Sequence, residues 1–149
     1  MTATLNQSES PADSAEGSVH FRNLEPLFAP RGIAVVGASR REGSVGYAIM
    51  ENLIDGGYQG VIYPVNPKAR SLFGIRCVQS LDSIDDDQLD LIVVVIPAPY
   101  VLPTIKQGVA KGVKNFVVIS AGFKEVGGEG VEREKALKAY ADENGLNIL

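Results

Sequence analysis

With 149 residues, 45% of them hydrophobic and 21% charged, the chain has the length and composition of one globular domain with a substantial core. A formal net charge of −4 gives the molecule as a whole no attractive field for nucleic acid or an anionic membrane. The single cysteine, Cys77, rules out an intrachain disulfide and a cysteine metal cluster, and no apolar run approaches the ~20 residues that span a bilayer.

The first residues, "MTATLNQSESPADSAEGSVH", lack the basic and apolar regions of a signal peptide. Their Ser, Ala, Glu and Asp content predicts a disordered tail over residues 1–23, and the cytoplasm is the expected compartment. His20, the only histidine, falls in this tail, away from the structured place a catalytic histidine needs. "FRNLEPLFAPRG" predicts a short helix or packing segment leading into the first strand.

From there apolar runs alternate with helical patterns. The first run is "GIAVVGA" (32–38). Val45, Ile49 and Leu53 then recur every four residues with Ala48 on the same face, an amphipathic helix stopped by Gly56 and Gly57. "GVIYPV" (60–65) follows, and a short extra strand is expected around "GIRCVQS". Cys77, in that stretch, has no histidine to act as its base and is expected to be a buried small apolar residue. Asp85, Asp86 and Asp87 lack the further ligand spacing of a metal site and read as a solvated cap or loop.

The third run is "DLIVVVI" (90–96). Leu102, Ile105 and Val109 then mark a helical face, with Pro103 in the first turn. "KNFVVIS" (114–120) precedes a loop, "KEVGGEG", expected to be mobile. The last helix, "EGVEREKALKAYADENG", closes on the C-cap pair Asn144–Gly145. "LNIL" then begins another strand, which predicts a domain truncated at its C-terminal end. Near-continuous Val/Ile runs indicate strands buried on both faces. Alternation with helices predicts a Rossmann-like, doubly wound parallel sheet in a three-layer α/β/α arrangement.

The loop "GASRREGSVG" after the first strand reads as one built to hold a phosphate. Its glycines allow close backbone approach, Ser44 suits an N-cap, and the following helix offers free N–H groups and a partial positive charge. It departs from G-x-G-x-x-G, and "YPVNPKAR" (63–70) places Asn66 and Lys68 where an NAD site wants a carboxylate. Lysine there favours an additional phosphate, so NADP stays open beside other phosphorylated cofactors.

"GASRREGSVGYAIMENL", "IYPVNPKA", "VVVIPAP" and "VVISAGFKEVG", in this order and spacing, resemble the N-terminal CoA-binding domain of the ADP-forming acyl-CoA synthetases of the acetate–CoA ligase type. That domain is in turn similar to the α subunit of succinyl-CoA synthetase. The resemblance covers about residues 24–149 and implies one CoA-binding Rossmann-like domain over that range. It implies cofactor contacts from Gly37, Ala38, Ser39, Arg40, Ser44, Val45 and Gly46, then Asn66, Pro67 and Lys68. It also implies contacts from Ile96, Pro97 and Ala98 of "IPAP" and from Ser120, Ala121 and Gly122 of "SAGF". Two features depart from the succinyl-CoA synthetase pattern: Lys68 follows proline directly, and the first loop is longer and carries Arg40 and Arg41.

The resemblance implies coenzyme A as cofactor and no catalytic or metal-binding residue in this chain. ATP, ADP and Mg would belong to ATP-grasp and phosphohistidine-bearing domains or a partner subunit, and a homo-oligomer is compatible with it. Three alternatives stay open: a regulatory CoA-binding module fused to a GNAT-type lysine acetyltransferase, an NAD(P)-dependent oxidoreductase domain, and a free-standing CoA-binding protein.

Overall fold

The computed structural model describes residues 23–149; the expected tail, with His20, lies outside the described residues apart from Asn23. A four-residue helix α1 (Glu25–Phe28) leads into β1 (Gly32–Val36), α2 (Val45–Asp55) and β2 (Val61–Val65). A small hairpin, β3 (Ser71–Leu72) and β4 (Ile75–Arg76), precedes β5 (Leu89–Val94). Then come α3 (Val101–Ala110), β6 (Asn115–Val118), α4 (Gly128–Asn144) and β7 (Asn147–Ile148).

The main sheet has the order β2-β1-β5-β6-β7, and every pairing in it is parallel. Alternate residues of β1 and β5 therefore serve opposite faces. Ile33, Val35, Leu91 and Val93 pack with Leu27 and Met50 from α1 and α2. Ala34, Val36, Ile92 and Val94 pack with Val101 and Ile105 of α3, and with Phe116 and Leu146. Helices thus cover both faces, as the unbroken Val/Ile runs require. Burying each large side chain stabilises the fold by ~1.5–3 kcal/mol before conformational entropy is counted.

Local chemistry sets the element ends. Ser44 caps α2, its Oγ accepting from the Tyr47 N–H at 3.3 Å. Gly145 ends α4 in the left-handed conformation at φ 62°. Strand β7 is held to β6 by more than its ladder: Asn147 Nδ2 donates to Asn115 Oδ1 at 2.8 Å, with both residues buried. Asn115 Nδ2 in turn donates to the Asp90 carbonyl, at 3.2 Å.

Four expectations need adjusting. The regular strands stop short of their apolar runs because the chain leaves the sheet at Gly37 (φ 94°) and at Val95, although single bonds continue from Val95 N–H to the Val36 carbonyl and from Ile119 N–H to that of Val94. The extra strand at "GIRCVQS" is half of an antiparallel hairpin. "KEVGGEG" is largely structured, since Lys124–Val126 form a 3-10 turn and α4 starts at Gly128. Within the Asp85–Asp87 run, Asp86 is half-buried and takes a hydrogen bond from the Tyr63 hydroxyl.

Candidate functional site

In a sheet of this order the direction of winding reverses between β1 and β5, and the crevice outside their carboxyl ends is where such folds take ligands. A cavity of about 470 Å³ opens there. Gly37, Ala38 and Ser39 after β1, Asn66, Pro67 and Lys68 after β2, and Ile96 after β5 all line it. Seven of the candidate residues, from three separate loops, thus converge on one hollow.

The glycines act through space as well as conformation. A Cβ on Gly37 would strike the Val95 carbonyl oxygen, and one on Gly46 would strike the Gly37 carbonyl oxygen. Gly46 therefore lets the first turn of α2 lie directly on the loop, which is the packing a phosphate-binding turn needs. Among the described residues the backbone N–H groups of Val45 and Gly46 have no partner, whereas that of Tyr47 is taken by Ser44. Val45, Gly46 and Ser44 belong to the helix start and not to the cavity wall described above.

Asn66 organises the site. Its Nδ2 donates to the Ala38 carbonyl at 2.8 Å, while its Oδ1 accepts from the N–H groups of Lys68 (2.8 Å) and Ala69 (3.1 Å). The carboxamide is thereby committed to joining the first two loops. The Lys68 side chain is left exposed and, among the described residues, without an ion pair or hydrogen bond. Arg40 is not among the residues lining the cavity; its Nε donates to the Ser71 carbonyl at 3.2 Å, tying the first loop to the hairpin.

The later loops hold one another. Ser120 Oγ donates to the Ile96 carbonyl, so this hydroxyl locks the loops after β5 and β6 together. The N–H groups of Gly122 and Phe123 are both taken by Glu125 Oε1, and those backbone bonds hold the Glu125 carboxyl below the usual carboxylate range. Ala98 lines a separate pocket of about 250 Å³ with Pro99, Phe123 and Arg133. Pro97, Ser120, Ala121 and Gly122 are not among the residues lining the 470 Å³ cavity.

Sequence reasoning missed a polar set. Gln79, Ser80, Thr104 and Gln107 also line the cavity. Thr104 and Gln107 sit three apart on α3, on the same side of the helix, so helical spacing was a signal for that pair. Nothing local marks Gln79 and Ser80. Cys77 corrects its expectation in degree: it is half-buried, packed against the edge of the core beside the hairpin, and burial pushes its thiol up. Among the described residues no group of His, Cys, Asp or Glu side chains is arranged to hold a metal, and no helix is long and apolar enough to cross a membrane.

The model of a family described as a CoA binding domain matches residues 31–149. An ADP-forming acetate–CoA ligase of Methanocaldococcus jannaschii is 44% identical over 126 residues, which cover 85% of this chain and 17% of that protein. The α subunit of an ADP-forming acetate–CoA ligase I of Pyrococcus furiosus is 42% identical over 130 residues, 85% of this chain and 28% of the subunit. A dinucleotide-forming acetyl-coenzyme A synthetase 1 of Ca. Korarchaeum cryptofilum, solved with phosphate and ADP, superposes with a TM-score of 0.79 at 40% identity, covering 87% of this chain and 27% of its own. The chain therefore spans only a minor part of the length of these relatives.

Proposed function

Because the chain belongs to the CoA-binding domain family, we propose that it binds CoA or an acyl-CoA at the carboxyl end of its sheet and serves an ADP-forming acid–CoA ligase. The observation that carries this reading is the convergence of Gly37–Ser39 and Lys68 on one 470 Å³ cavity at the reversal point of the sheet. CoA presents a diphosphate and a 3′-phosphate. The free N–H groups of the α2 first turn and the unpaired Lys68 ammonium are donors suited to such groups. A dinucleotide fits less well. The position that would carry a ribose-binding carboxylate is Asn66, whose carboxamide is already occupied between two loops.

The domain's contribution to a ligase would be orientation. The CoA thiol attacks the carbonyl carbon of an acyl phosphate, the thioester C–S bond forms, the C–O bond to phosphate breaks, and phosphate departs carrying the proton that the thiol gives up. Fixing the thiol against that carbon converts an encounter between two molecules into a step within one complex. Other domains or a partner subunit would carry the ATP-grasp and phosphohistidine machinery, with ATP, ADP and Mg bound there. The cytoplasm is the compartment that suits this chemistry.

Calorimetric titration of the chain with CoA, NAD and NADP, repeated on Lys68→Ala, tests the reading. CoA should bind well above both dinucleotides, and the substitution should weaken it roughly tenfold or more, the worth of a hydrogen bond to a charged group. Binding of NADP or NAD with no CoA heat would overturn it in favour of an oxidoreductase domain.

A further inference from the structure

A second, larger hollow of about 860 Å³ lies against the β3–β4 hairpin and adjoins the first, since Pro67, Lys68 and Gln79 line both. Its lining includes three cations, Lys68, Arg70 and Arg76, and no carboxylate, in a protein of net charge −4. Both guanidinium groups are exposed, and among the described residues neither has an ion pair or a side-chain hydrogen bond. By contrast, Arg31 and Arg133 are both salt-bridged.

The hairpin fixes the backbone from which Arg70 and Arg76 project. Ser71 pairs with Arg76 across the ladder, and the Cys77 N–H donates to the Arg70 carbonyl at 3.0 Å, so Arg70 and Arg76 come from neighbouring backbone on the two arms. Leu72 is buried, and the Phe73 ring lies 5.0 Å from that of Tyr47 on α2. The Arg40 bond to the Ser71 carbonyl ties the same hairpin to the first loop. Three cations lining one hollow with no carboxylate among its lining residues give that hollow a positive potential. Guanidinium forks match the oxygens of a phosphate, which a lysine meets only as a point charge.

We propose that Arg70 and Arg76 form a phosphomonoester subsite that takes the 3′-phosphate of the CoA ribose while the rest of the cofactor occupies the adjoining cavity. The proposal rests on the CoA reading and deepens it: the hairpin becomes the element that tells CoA from cofactors lacking that phosphate. Lys68, at the border of the two hollows, is then free for the diphosphate.

The test is calorimetric titration of the full chain with CoA and with dephospho-CoA, on the wild type, on Arg70→Ala/Arg76→Ala, and on Lys111→Ala as a distant charge control. The wild type should prefer CoA by about tenfold or more, as expected for charge-assisted bonds to one phosphate. The double variant should lose that preference by binding CoA more weakly while dephospho-CoA stays unchanged, and Lys111→Ala should behave as wild type. A preference kept in the double variant, or equal weakening of both ligands, overturns the subsite and leaves the CoA reading intact. So does a wild type that binds both ligands equally. Binding of neither ligand by the wild type overturns the CoA reading, and this inference with it.

Discussion

The two ends of the β2-β1-β5 half of the sheet treat charge in opposite ways. At the amino end, Arg31 grips Asp90 with its Nε and Nη2, both at 2.8 Å, and its backbone N–H donates to the same carboxylate. Nearby Asp86, on the approach to β5, takes the Tyr63 hydroxyl and the Gln88 N–H. At the carboxyl end, Lys68, Arg70 and Arg76 stand without carboxylate partners among the described residues, around hollows walled by glycine, serine and proline. Paired charges at one end secure the approach of strands. At the other, the charged donors of Lys68, Arg70 and Arg76 are unoccupied among the described residues.

The largest effect should come from breaking the backbone contact that shapes the carboxyl end. Gly37→Ala puts a Cβ at φ 94° and against the Val95 carbonyl, so a loss of about 3 kcal/mol in urea unfolding is expected. A loss below about 0.5 kcal/mol would show that the loop yields, since surface changes sit within roughly that range.

Next is the buried amide pair that fastens β7. Asn147→Leu leaves Asn115 Oδ1 without its donor in a buried setting and should cost ~1–3 kcal/mol by the same measurement. If Asn147→Leu proves neutral, the ladder alone holds the edge strand.

Lys68→Ala sharpens the contrast between the ends directly. Its exposed, unpaired side chain should leave the urea midpoint almost unmoved, within about ±0.5 kcal/mol, while CoA affinity drops roughly tenfold. Loss of stability without loss of affinity would reverse the roles assigned here.

The amino end should instead declare itself through pH. The Arg31 hydrogen bond holds the Asp90 carboxyl below its ordinary 3.8, and the Tyr63 hydroxyl does the same for Asp86. In that range the unfolded chain binds more protons than the folded one. Stability from these groups is therefore present above about pH 4 and lost as pH falls further. Asp90→Asn should flatten the acid limb of a thermal-melt series, and an unchanged limb would place the acid sensitivity elsewhere.

Smallest is the alkaline counterpart. The Asp86 hydrogen bond, with burial second, pushes the Tyr63 phenol up from 10.0 to about 12. A raised folded value means stability that is whole below pH 10 and lost as pH climbs towards 12. Tyr63→Phe should melt with less dependence on pH in that window.

Much of this architecture is written in local pattern. The runs around Ile33 and Leu91 announce strands buried on both faces because a parallel sheet covered by helices leaves no polar side, whereas β2, at the sheet edge, is exposed at Val61 and half-buried at Ile62 and Tyr63. Ser44 and Gly145 mark helix ends because capping is settled within one turn of chain. The glycine loop and Lys68 read as phosphate-seeking from residue type and immediate neighbours, and the structure brings Gly37 and Lys68 to one cavity.

Other roles depended on residues distant in the chain. Asn66 is read from sequence as a cofactor contact, yet its amide is used on Ala38 and on its own loop. Ser120 is likewise read as a contact, and its hydroxyl goes to Ile96. Gln79 and Ser80 reach the cavity only because their segment folds back beside β2, where Val78 forms a bridge to Val65.

By itself, then, the sequence determined the layered α/β design, the places where loops leave the carboxyl ends of the strands, and the family to which the chain belongs, since periodicity and residue type are properties of short stretches. Only the tertiary structure decided which donors remain free and which are occupied, and that Arg70, Arg76 and Lys68 share one hollow. Partnership between groups on separate strands and loops is set by how the sheet is wound, and a linear pattern does not record it.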